Sequence, residues 1–144
     1  MSSDTAAAAE VASLDGIIHA MYEVISGPAG AARDWNRFRR LYAPGARLMP
    51  VVNAAGEEAR VRVLSPEEYI ERVTPIFAVE HFWERETSRD SRTFGQIAHV
   101  LSSYESLRDP AGHPFEHGIN SVQLFNDSRR WWIVSVMWNT SRRA

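Results

Sequence analysis

The sequence predicts an α+β domain: about three N-terminal helices, then a curved antiparallel sheet built from the second half of the chain. Two observations carry that expectation. Apolar residues recur at three- and four-residue steps through the first half, the period of a helix with one buried side. After about residue 80 the period shortens to two, and aromatic residues, Val, Ile, Ser and Thr alternate between turn signals. Helices followed by strands with short links imply an α+β chain with an antiparallel sheet. The length of 144 residues and the apolar share of 44% suit one domain with a substantial core. Residues 1–8 read as a flexible N-terminus and 9–141 as the single domain.

Each element has its own signal. Val11, Leu14, Ile18, Met21, Tyr22 and Ile25 form one helical stripe, stopped by Gly27-Pro28. Asp34 is placed to cap a short helix carrying Trp35, Phe38, Leu41 and Tyr42. Residues 47–52 and 59–64 read as short strands around the turn at Asn53–Gly56. Ser65-Pro66-Glu67-Glu68 predicts a capped helix start: the Ser hydroxyl can accept from the N–H of Glu68, and the Glu68 carboxylate can reach back. That helix buries Tyr69, Ile70, Val73, Ile76 and Phe77. Strands are expected over 81–90, 94–107, 114–126 and 131–140, with Asp109-Pro110-Ala111-Gly112 supplying a type I turn.

Composition removes several kinds of chemistry. There is no Cys, hence no thiolate nucleophile, disulfide or cysteine-bound metal. All 16 basic side chains are Arg, so lysine Schiff-base chemistry is excluded apart from the chain's own amino terminus. A formal charge of −2 argues against a nucleic-acid partner, which needs a basic face for phosphates. No apolar run approaches the roughly 20 residues of a membrane span. The N-terminal MSSDTAAAAEVA lacks a basic segment and a long apolar core, so a cytoplasmic protein is expected.

Strand parity separates the faces of the sheet. Ala98, Val100, Ser102 and Tyr104 share one face, and Ile97, His99 and Leu101 share the other. In the last strand Trp132, Val134, Val136 and Trp138 oppose Trp131, Ile133, Ser135 and Met137, so neither face is polar. Helices cover one face, and the other is expected to meet a second copy in a homodimer packed through the sheet.

The candidate catalytic residues are Glu84 and Tyr104. Glu84 and Glu86 share a strand face about 6–7 Å apart, and a carboxylate held among apolar groups gains the raised pKa of an acid–base catalyst. Glu86, alternating with Arg85 and Arg89, reads instead as part of a solvated face. Tyr104 sits beside small Ala98 and Ser102, which leaves room for a ligand oxygen to accept from its phenol. Tyr22, Trp83, Ser102 and Asn120 are the candidate pocket residues; for Tyr22 and Asn120 a purely structural hydrogen bond is the competing reading. His81, His99 and His117 lie on separate strands without H-x-H or H-E-x-x-H spacing, so no metal and no cofactor is implied.

The run Asp34-Trp35-Asn36-Arg37-Phe38-Arg39-Arg40-Leu41-Tyr42-Ala43-Pro44-Gly45-Ala46-Arg47-Leu48 resembles the nuclear transport factor 2-like superfamily. So do Phe94–Ser106, Gly118–Leu124 and Arg130–Trp138, and the likeness covers roughly residues 10–140. The superfamily includes ketosteroid isomerase, scytalone dehydratase and SnoaL-like polyketide cyclases. The resemblance implies a cystatin-like cone, a bent sheet wrapped around helices, with a pocket between them and usually a dimer. It does not name a function, because the fold serves isomerases, dehydratases, cyclases and non-catalytic modules alike. Ketosteroid isomerase keeps its general-base Asp just after the A-x-L segment; alignment through Ala46 puts Pro50 there, flanked by Met49 and Val51, so that mechanism does not carry over. The expectation is a protein that binds a small apolar ligand in the pocket, with isomerase, dehydratase or cyclase activity as one outcome and a non-catalytic dimeric module as the other.

Overall fold

In the computed structural model, residues 3–142 are described, as four helices against a curved six-stranded sheet. The helices are α1 (Ser3–Glu10), α2 (Leu14–Glu23), α3 (Trp35–Leu41) and α4 (Pro66–Val79). The strands are β1 (Tyr42–Val52), β2 (Arg60–Val61), β3 (Trp83–Phe94), β4 (Ile97–Leu107), β5 (Glu116–Asn126) and β6 (Trp131–Arg142). Residues 3–8, expected to be a flexible end, form most of α1. The helix expected to run from Val11 to Ile25 is interrupted at 11–13, because the Ser13 hydroxyl accepts from the N–H of Gly16 and restarts the helix as α2. Asp34 caps α3, and Ser65 with Glu68 forms the reciprocal capping box of α4. No helix of the described residues is long and apolar enough to cross a membrane.

The strand order is β2-β1-β6-β5-β4-β3. All neighbours are antiparallel except β1 and β6, which lie parallel, with Leu48 beside Val136 and Pro50 beside Trp138. The parallel pair is a long-range contact that local turn signals do not reveal. The break expected after residue 90 is absent: β3 continues to Phe94, and the hairpin turns at Gly95, whose φ of 55° suits the tight link between Phe94 and Ile97.

Two bulges bend the sheet and re-aim its side chains. One lies between Glu86 and Ser88, the other opposite Gln123 and Leu124, where Val134 is the extra residue of β6. The second explains the apolar character of both parities in that strand. Trp131 and Ile133 face inward before the bulge and Val136 and Trp138 after it, so strict alternation does not describe β6. The helices cover the inner face, with Ile17, Ile18, Phe38 and Leu41 packed on Val100, Val122 and Ile133. Within one chain the outer face stays open: Phe94 is 84% exposed and Ile97 62%.

Candidate functional site

Antiparallel register places inward residues in rows across the sheet. Leu124, Ala98 and Ile133 lie in one row, and Val100, Val122 and Val136 in the next; both are apolar and buried. Further along come Ser102, Asn120 and Trp138, then Glu86, Tyr104, Gly118 and Thr140, and last Glu84, Ser106 and Glu116. The polar rows border a cavity of about 340 Å³ between the sheet and α4. Its walls are largely aromatic, from Phe77, Phe82, Phe115, Tyr69 and Trp138, and Glu84 and Glu116 both line it.

Glu84 is anchored from behind. Its backbone N–H donates to the Ser26 hydroxyl at 3.1 Å, and Ser26 donates in turn to the carbonyl of Tyr22 at 2.8 Å, tying β3 to the end of α2. The residue as a whole is half-buried, with its side chain at the cavity. Burial pushes its pKa up to about 8, with the charge of Glu116 adding to the rise; the side-chain amide of Asn120 works the other way by favouring the ionised form. Ser106, between the two acids in register, keeps its hydroxyl fully buried with no hydrogen-bond partner among the described residues.

Three phenols share this space. Tyr42 on β1, Tyr69 on α4 and Tyr104 on β4 all line the cavity, and burial raises the pKa of each, with the neighbouring Glu84 charge as a second cause. They therefore remain neutral donors. None of the three hydroxyls makes a hydrogen bond to another of the described residues. Tyr104 is positioned by a missing side chain: a Cβ on Gly118 would stand 2.3 Å from its hydroxyl oxygen, so glycine lets the ring lie across β5.

The residues singled out in the sequence thus separate into groups. Glu84, Tyr104 and Asn120 lie at the cavity. Tyr22 and Ser102 lie behind it instead: the Tyr22 hydroxyl is 2.6 Å from Ser102 Oγ and accepts from Asn120 Nδ2 at 3.0 Å, which occupies its bonding capacity inside the protein. Trp83 also departs from the expected pocket position, because strand parity turns it outward onto the imidazole of His81. Glu86 faces inward but is held by Arg89 and Ser102 rather than by the cavity. His81 accepts from the N–H of Ala29, and His99 pairs with Ser121 on the outer face. Among the described residues no three His, Asp or Glu side chains gather as a metal-binding group.

Sequence reasoning placed Tyr42 and Tyr69 in the core and missed their hydroxyls. The available signal was the choice of Tyr where Phe or Leu would fill the same helical stripe. Glu116 carries no comparable local signal, since it meets Glu84 only through the pairing of three strands.

No protein-family model matches the chain, and no curated protein matches it by sequence. Solved structures do match. A nuclear transport factor 2-like protein of unknown function from Pseudomonas putida is 12% identical, with 94% of this chain and 87% of that one covered at a TM-score of 0.65. The chain has the nuclear transport factor 2-like fold. A protein of unknown function with a cystatin-like fold from Nostoc punctiforme is 8% identical over 75% of this chain and 77% of its own, TM-score 0.58. One from Shewanella frigidimarina, proposed to be a ketosteroid isomerase, is 15% identical over 94% and 96%, TM-score 0.56. At these identities the likeness shows the fold alone and leaves the chemistry to the residues above.

Proposed function

We propose that the cavity binds a small, largely apolar ligand bearing a carbonyl oxygen, and that Glu84 exchanges a proton with it. The observation that carries this reading is the Glu84 carboxyl, its pKa raised by burial, lining one cavity with three phenols whose hydroxyls no described residue engages. Near neutral pH such a carboxyl divides between its acid and base forms, as a proton-transfer group requires. In the base form Glu84 takes a proton from carbon next to the carbonyl. The C–H electron pair becomes the C=C bond of an enolate as the carbonyl π pair moves onto oxygen, which Tyr104 stabilises by donating its hydrogen bond. In a conjugated substrate, return of the proton from Glu84 at the γ-carbon completes an isomerisation; where a β-hydroxyl is present, the enolate expels it as the Glu84 proton passes to it, giving water and a dehydration. Pro50 lines the same cavity without a titratable atom, so the proton-transfer role falls to β3.

The test is exchange of α-protons for deuterium in cyclic ketone probes, followed by NMR in heavy water. Glu84→Gln is expected to slow exchange by about 10²–10⁴-fold and Tyr104→Phe by less. Exchange that is no faster than in buffer, or is unchanged in Glu84→Gln, overturns the catalytic reading. Ligand binding without exchange would instead make the protein a non-catalytic binding module.

A second reading concerns assembly: a homodimer formed through the outer face of the sheet. Phe94, Ile97, Ile119, Phe125, Val134 and Met137 leave an apolar surface there that the chain's own helices do not reach. Light scattering coupled to size exclusion is expected to give a dimer for the wild type and a monomer for Ile119→Glu. A monomeric wild type at micromolar concentration removes this reading.

A further inference from the structure

A line of hydrogen bonds runs from the cavity to the surface. Asn120 Nδ2 donates to the Tyr22 hydroxyl at 3.0 Å; the Tyr22 and Ser102 hydroxyls are 2.6 Å apart; Ser102 donates to Glu86 Oε2 at 2.5 Å. Glu86 is held by Arg89, whose Nε–H and Nη2–H donate at 3.0 and 2.8 Å, and Arg89 also pairs with Asp15 of α2. Tyr22, Ser102 and Asn120 are buried, whereas Asp15 is open to solvent.

The direction of every bond in this line follows from its outer end. A carboxylate paired with guanidinium offers only acceptors, so the single proton of Ser102 must point at Glu86. Ser102 then has only lone pairs for Tyr22, which must donate to it. Tyr22, its proton spent, can only accept from Asn120. The Asn120 side chain is thereby oriented with its NH₂ toward Tyr22, at the cavity that Glu84 also lines, where the amide favours the ionised carboxyl. An amide does not pass protons along readily, so the line orients groups and does not conduct.

We propose that the Glu86–Arg89 pair, acting through Ser102 and Tyr22, sets which end of the Asn120 amide faces Glu84 and thereby regulates the proton affinity of the cavity carboxyl. This rests on the functional reading of Glu84 given above. Glu86, Ser102 and Tyr22 are positioning residues; none of them lines the cavity.

The groups facing Glu84 are Glu116 of β5, Tyr104 of β4, Tyr22 of α2, Tyr42 of β1 and Tyr69 of α4. Arg72 and Glu80 of α4 and Arg108 beyond β4 complete the charged lining of the cavity. The Asn120 amide favours the ionised form of Glu84. Replacing Glu86 by Gln separates two effects by their sign. Removal of a negative charge alone would lower the Glu84 pKa. Loss of the fixed polarity, by letting the line reverse and turn the Asn120 carbonyl inward, would raise it.

The experiment is a carboxyl ¹³C NMR titration of Glu84 in the protein without ligand, in wild type, Glu86→Gln and Ser102→Ala. Both variants are expected to raise the Glu84 pKa by roughly half a unit or more. A fall or no change in Glu86→Gln, or no change in Ser102→Ala, which alters no charge, overturns the proposal. Because no ligand is present, this outcome is independent of the exchange assay: the line can hold while Glu84 proves non-catalytic, and the reverse.

Discussion

The two ends of the inner sheet face use the same strands for opposite purposes. Toward the β3–β4 hairpin, Ala98, Val100, Val122, Leu124 and Ile133 meet α2 and α3 and are all buried. Toward the other end the same strands carry Ser102, Tyr104, Ser106, Glu116 and Asn120, and the helices leave a cavity. The first end gains stability from burial at about 25 cal/mol per Å². The second holds a carboxyl of raised pKa and several phenols whose hydroxyls have no partner among the described residues, arrangements that oppose stability and are typical of sites built for a ligand.

Substitutions distinguish these ends by size and by sign. The largest loss is expected at the packed end: Ile133→Ala, at a fully buried position, should destabilise by about 2–5 kcal/mol in denaturant unfolding. Glu84→Gln at the cavity end should have the opposite sign in alkaline solution. An acid raised from 4.5 to about 8 keeps its proton in the folded chain where the unfolded chain has lost it, so stability declines as pH rises across that window. The variant should flatten that decline and gain on the order of a few kcal/mol above pH 8; a wild-type stability curve flat from pH 5 to 8 would contradict it. Tyr22→Phe comes next, with a loss of about 1–2 kcal/mol, because it strips partners from buried Ser102 and Asn120. Tyr104→Phe should be the smallest, within about 0.5 kcal/mol, since its hydroxyl has no partner to lose among the described residues. A Tyr104→Phe loss equal to that of Tyr22→Phe would mean that the two hydroxyls are alike, and the contrast between back wall and cavity would disappear.

Much of this fold was legible before the structure. The helix caps and turns act within a few residues, so Asp34, Ser65 and the Pro110 turn could be read directly from spacing. Val134 shows where such reading stops. Its strand alternates well on either side, but a bulge reverses the parity in the middle, and a bulge depends on the partner strand. Trp83 fell outside the pocket for a simpler reason: next to Glu84 in sequence means opposite faces in a strand.

By itself, the sequence determined the α+β class, the capped starts of α3 and α4, the four long strands, the two faces of β4 and the carboxyl of Glu84 as a candidate. These follow from periods and caps that span one element. The tertiary structure alone decided the parallel pairing of β1 with β6 and the convergence of Tyr42, Tyr69 and Tyr104 on Glu84. It also decided the polarity that Glu86 imposes on Asn120. Each of these depends on groups tens of residues apart meeting where water is excluded, and no local pattern encodes that distance.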